Sequence, residues 1–114
     1  MAQDPVDVLK TSNQGIRRLV LDNGLIVLLK QDRSAPLAAI QYWVGAGSIH
    51  EGAQSGGGLS HYLEHMIFKG TATRGPGQVS QEIADAGGEI NAYTSTDRTV
   101  FHATLPAARW LVGL

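Results

Sequence analysis

Apolar positions in this chain fall into short runs broken by turn-forming residues, and the period of each run predicts its element. Ile16 to Leu21 and Leu25 to Lys30 are apolar runs with β-branched members on either side of Asp22-Asn23-Gly24. Asn-Gly is favoured where a tight hairpin turn needs positive φ at both central residues, so a β-hairpin with a type I′ turn on Asn23-Gly24 is expected. After Pro36, the run Leu37 to Val44 has Gln41 as its only strongly polar member and predicts a third, well-buried strand. Glu89 to Thr94 and Arg98 to Leu105 alternate with period two, the second placing Thr99, Phe101, Ala103 and Leu105 on one side. These predict adjacent antiparallel strands around Ser95 to Asp97.

Two stretches follow the helical period instead. Gln78 to Ala86 puts Val79, Ile83 and Ala86 on one face and ends at Gly87-Gly88. The other runs from about Gly57 to Phe68 and stops at Lys69-Gly70, a cation followed by a glycine able to take the left-handed conformation. At ~100° per residue, setting His61 at 0° puts Glu64 near roughly -60° and His65 near about 40°. Leu59, Tyr62, Leu63, Met66 and Ile67 fall between roughly 100° and 240° on the same wheel. That division predicts an apolar back turned to a core and a separate chemical face, with Phe68 the one exception. Pro106 and the residues to Leu114 predict a proline-started helix cut off soon after it begins. Together the elements predict an α+β domain, a mixed, largely antiparallel sheet of about five strands with helices packed on it. Residues 1 to 15, polar with Pro5 and Thr11-Ser12-Asn13-Gln14-Gly15, are expected to form a flexible N-terminal arm.

Composition narrows the functional classes. A chain of 114 residues that is 43% hydrophobic is long enough for one small domain with a core. Nine scattered basic residues and a net charge of -1 give no electrostatic footprint for nucleic acid. The absence of cysteine excludes disulfides, thiolate nucleophiles and sulfur-rich zinc sites, so any zinc must be held by nitrogen and oxygen. No apolar run reaches bilayer length, and no membrane span is expected. Met1-Ala2-Gln3-Asp4-Pro5 fits a mature exported protein with an added initiator, which favours a bacterial periplasm over cytoplasm or an organelle matrix. The glycine-rich stretches are not followed by Gly-Lys-Ser/Thr, which argues against a phosphate- or carbohydrate-binding module.

The candidate chemistry lies in His61-Tyr62-Leu63-Glu64-His65. Two imidazoles four apart on a helix can converge on one zinc ion at about 2.0 to 2.1 Å each. A hydrolytic site needs three protein ligands and an open position for water, and Glu64 is near enough to take that water's proton without ligating. Histidine pairs with this spacing also occur on helices that hold no metal. The inner glutamate, the opposite apolar face and the glycine-rich entry favour a site. Glu82 reads as a solvated helix residue, Glu89 as a strand or turn carboxylate, and His50 and His102 as structural or exposed. Asn91 taken alone reads equally well as a turn or strand-end amide.

The block Gly58-Leu59-Ser60-His61-Tyr62-Leu63-Glu64-His65-Met66-Ile67-Phe68-Lys69-Gly70-Thr71 resembles the signature of the pitrilysin/insulinase-type (M16) zinc peptidases, the H-x-x-E-H inverzincins. Gly87 to Thr99 resembles the segment that follows in that family, which includes mitochondrial-processing-peptidase-like proteins. The hairpin around Asn23-Gly24 and the run Val44 to Ser48 resemble its N-terminal part, so the likeness covers about residues 15 to 114. The resemblance implies a LuxS/processing-peptidase-like metallohydrolase fold, incomplete here, with residues 16 to 114 forming the N-terminal part of one domain truncated at its C-terminus. It implies a zinc-dependent endopeptidase acting on short or unfolded polypeptides, with one zinc (Zn2+) per complete site on His61 and His65. Glu64 would be the general base, and the third ligand a glutamate beyond Leu114. Asn91 and Ala92 would line the cleft on a strand to which the substrate backbone adds as a further strand. A second half or partner subunit would close the site, so that this chain alone is an inactive fragment. The rival reading is a non-catalytic subunit of the same family that acts in assembly or partner binding. Such subunits usually lose motif residues, whereas His61, Glu64 and His65 are all present.

Overall fold

The structure, a computed structural model, describes residues 15–54 and 56–114. The arm expected over residues 1 to 15 lies, except for Gly15, outside them. The described residues divide between two compact units, one ending at Ala35 and the other running from Pro36 to Leu114.

The first unit is the expected hairpin. β1 (Ile16–Val20) pairs antiparallel with β2 (Ile26–Lys30), matching Ile16 with Lys30 and Val20 with Ile26. Its turn differs from the expectation. The Gly24 amide donates to the Leu21 carbonyl at 2.8 Å, which centres the turn on Asp22 and Asn23, and Gly24 follows at φ 84°. This is the three-residue loop with a left-handed bulge residue rather than a two-residue turn on Asn23-Gly24. Asn23 contributes through its side chain, whose Oδ1 accepts the Leu25 amide at 3.0 Å.

The second unit is built on a three-stranded antiparallel sheet of order β3-β5-β4, formed by β3 (Leu37–Val44), β4 (Glu89–Thr94) and β5 (Thr99–Pro106). The five strands therefore form two sheets rather than one, and every pairing among the described residues is antiparallel. The fold class is α+β, as expected. β5 is central, and its alternating residues supply Ala103 and Leu105 to the core. Ala103 lies in register between Ile40 on β3 and Ile90 on β4. The small residue leaves room for Ile83 of α2 (Gln78–Asp85) to pack into the same cluster.

Two burial expectations are corrected. β3 is an edge strand, and only Ala38 and Ile40 turn toward the core, while Leu37, Trp43 and Val44 remain exposed. An almost unbroken apolar run reads as a strand covered on both faces, but here one face is covered. The motif helix α1 (Leu59–Ile67) also turns the other way from the wheel's expectation. Leu59, Tyr62, Leu63, Met66 and Ile67 are exposed, whereas Glu64 is 8% exposed. α1 meets the sheet through Glu64, which is bonded to Thr94, and through Phe68 at its C-terminal end, four apart on one stripe, with the Phe68 ring 6.2 Å from that of Phe101. The one apolar residue on the chemical side anchors that face.

Ala107–Gly113 is a 3-10 helix rather than the start of an α-helix. Its first amide donates to the Pro36 carbonyl at 2.9 Å.

Candidate active site

The site is assembled from α1, the end of β4, the start of β5 and the loop between β3 and α1. Gly58 precedes α1 at φ 74°, a conformation costly for residues with a Cβ, and it has no side chain to cap the first turn. An anion from the preceding loop takes over that role. Glu51 is 7% exposed, and its Oε1 accepts the Ser60 amide at 2.8 Å. The Ser60 amide holds the Glu51 carboxyl below its ordinary value against the opposing effect of burial, with the Gly58 and Gly56 amides adding to the lowering.

The loop that carries Glu51 is fastened to the β4–β5 turn. Ser48 and Ile49 amides donate to the Ser95 and Thr96 carbonyls at 3.3 and 3.0 Å. His50 Nδ1 accepts the Gly47 amide at 3.1 Å, which is the structural role expected of that histidine. A Cβ on Gly47 would lie 2.6 Å from the Thr96 carbonyl oxygen and 2.7 Å from the Arg98 nitrogen, both rigid backbone atoms. Gly47→Ala is therefore expected to destabilise the protein by about 1–3 kcal/mol, read from the denaturant midpoint at unchanged slope.

On α1 the two imidazoles converge. His61 Nε2 and His65 Nε2 are 3.0 Å apart, with ring centroids 4.7 Å apart. Two nitrogens bound to one tetrahedral zinc are roughly 3.3 Å apart, given bonds of about 2.05 Å, so the pair fits a zinc ion with only a small adjustment. Both histidines are exposed, and Glu64 lies on the same side of the helix but faces the sheet. Glu64 Oε2 accepts a hydrogen bond from Thr94 Oγ1 at 2.5 Å. Thr99 Oγ1, 3.3 Å from Thr94 Oγ1, donates to the Ala46 carbonyl at 2.9 Å. A cavity of about 550 Å³ opens beside these groups, lined by Glu51, His61, Glu64, Ala92, Tyr93 and Thr94 among others.

The structure thus brings together His61, Glu64, His65 and Ala92. Asn91 points to the other face of β4, is exposed, and its Oδ1 accepts the Ala92 amide at 2.8 Å. Glu82 is held in an ion pair with Arg74 at 3.1 Å, consistent with a solvated helix residue, and Glu89 is exposed at the start of β4. Among the described residues no group of three His, Asp or Glu side chains could hold a metal.

Sequence reasoning missed Thr94 and Glu51. Thr94 was detectable as the polar member of the inward set Ile90, Ala92, Thr94 on an alternating strand. The clue to Glu51 was a glycine entry without a capping side chain, which leaves amide donors for an anion from elsewhere.

The family model described as insulinase (peptidase family M16) matches residues 26–110. A probable mitochondrial-processing peptidase subunit beta of Arabidopsis thaliana is 44% identical over 87 residues, 76% of this chain and 16% of that protein. An uncharacterised zinc protease of Bacillus subtilis is 38% identical over 88 residues, 77% of this chain and 21% of that protein. The chain therefore spans about a fifth of the length of such relatives. Among solved structures, pitrilysin matches with a TM-score of 0.74 at 28% identity, over 95% of this chain and 12% of its own. A protease from Helicobacter pylori matches with the same TM-score and identity, over 82% of this chain and 22% of its own.

Proposed function

This chain belongs to the insulinase family of peptidases, family M16, and on that basis we propose that the protein it helps to build is a zinc-dependent endopeptidase. The observation that carries this reading is the 3.0 Å approach of His61 Nε2 to His65 Nε2 with Glu64 beside them on α1. His61 and His65 would hold the metal. Zinc bound there supplies Lewis acidity to the attacking water and the scissile carbonyl. Glu64 takes the proton of the attacking water and passes it to the leaving amine.

The same geometry supports a place for the substrate. In the order β3-β5-β4, β4 lies at one edge with Ala92 facing the cavity, which suits a peptide backbone added as a further strand. Main-chain pairing of this kind favours short or unfolded polypeptides, because a folded protein has few free backbone edges. Asn91 would act at that edge from the exposed face. We place the third metal ligand, a glutamate, outside these residues, and read residues 16 to 114 as part of one peptidase domain whose cleft is closed by a second half or a partner subunit. On this reading the 114-residue chain alone does not turn over.

The test is metal content and activity of the complete protein. One zinc per chain is expected, and a chelator should remove it together with cleavage of a quenched peptide, both returning when zinc is restored. Protein that carries no metal and cleaves nothing would overturn the peptidase reading in favour of a non-catalytic role in assembly.

A further inference from the structure

We propose that Thr94 is the positioning residue of the general base, its hydroxyl holding Oε2 of Glu64 so that proton transfer falls to Oε1. This rests on the reading of Glu64 as base. Thr99 has one hydroxyl proton, and it is spent on the Ala46 carbonyl at 2.9 Å, an acceptor that can offer none in return. Thr94 then has two acceptors within reach, the Glu64 carboxylate at 2.5 Å and the neutral Thr99 oxygen at 3.3 Å. The shorter, charge-assisted bond is the stronger, so the Thr94 proton belongs to Glu64.

That bond spans from α1 to β4, linking residues 30 apart in sequence. Among the described residues it is the only hydrogen bond made by the Glu64 carboxylate. An oxygen already accepting a short hydrogen bond is a poor site for a second proton. The water's proton therefore goes to Oε1 and from there to the nitrogen of the leaving amine, while Oε2 stays on Thr94 throughout. The bond also removes rotation about the terminal carboxylate torsion, which is broad and two-fold in a free glutamate. Thr94 does not touch substrate on this account and acts through Glu64.

The test compares Thr94→Val, which keeps the shape and removes the donor, with Thr94→Ser, which keeps the donor. In the complete protein Thr94→Val is expected to lower kcat about 10- to 100-fold, the scale of a misplaced reacting group, with KM within about twofold and zinc still one per chain. Thr94→Ser should restore kcat to within about threefold. Crystal structures of the zinc-free variants should show Glu64 Oε2 on the serine hydroxyl and a rotated carboxylate opposite valine. If Thr94→Val fails to fold, Thr94→Ala carries the same expectation. Wild-type kcat in the donorless variant, an unrotated carboxylate, equal losses in valine and serine, or loss of zinc in step with activity would each overturn the proposal. Glu64→Gln separates the two levels. Full activity of that variant removes the reading of Glu64 as base on which this proposal rests, whereas an inactive Glu64→Gln beside a fully active Thr94→Val removes only the role of Thr94.

Discussion

Glu64→Gln in the complete protein should lower kcat about 10²- to 10⁴-fold, the contribution of a positioned general base, and leave zinc at one per chain. The substitution changes little except proton affinity. The amide has nearly the volume of the carboxylate, and its oxygen can still accept from Thr94 Oγ1, now bonded to Glu64 Oε2 at 2.5 Å. Helix α1 therefore keeps its contact with β4, and His61 and His65 keep their orientation. KM should change little, because the proposed backbone pairing along β4 does not involve residue 64. Steady-state kinetics on a quenched peptide, with metal analysis of the same preparation, gives the answer. Activity within about tenfold of wild type would show that the proton is taken elsewhere.

His61→Ala and His65→Ala should each weaken zinc binding by more than about 100-fold, since loss of an outer partner of a ligand already costs about 10- to 100-fold. Peptidase activity at limiting zinc should fall in proportion. Both imidazoles are exposed and sit on a helix surface, so their removal opens no cavity. Alanine is also the better helix former, and the change in stability should stay within about 0.5 kcal/mol. Chelator competition measures the affinity, and a thermal melt of the metal-free variants checks the fold. Variants that keep zinc at wild-type affinity would remove these histidines from the metal site.

Much of the architecture was legible because it is local. Apolar runs bounded by turn residues located β1, β2 and β3 and period-two alternation located β4 and β5, with β3 and β4 at the bounds expected. The helical period located α1 and α2 and put His61, Glu64 and His65 on one face, as neighbours three and four apart must be. The hairpin turn was misassigned by one residue. Asn-Gly serves both the two-residue turn and the bulged three-residue turn, and only the Gly24 to Leu21 hydrogen bond separates them.

Which face of α1 meets the protein was not legible. An apolar stripe shows that a helix has two unlike sides, yet it does not say which side the nearest sheet covers. Phe68 decided that here by packing on Phe101, and Glu64 was buried with it. The same limit hid the strand order, the edge position of β3 and the hydrogen bond from Thr94. Each depends on residues tens of positions apart meeting in space.

The sequence by itself determined the five strands, the two α-helices and the placing of His61, Glu64 and His65 together on one of them, since these rest on neighbours within one turn of helix or a few residues of strand. Tertiary structure alone decided that Glu64 lies under Thr94 rather than in open solvent, that Glu51 caps α1 from a loop, and that β5 runs between β3 and β4. Periodicity records which side chains share a face. Long-range pairing and burial decide what that face meets.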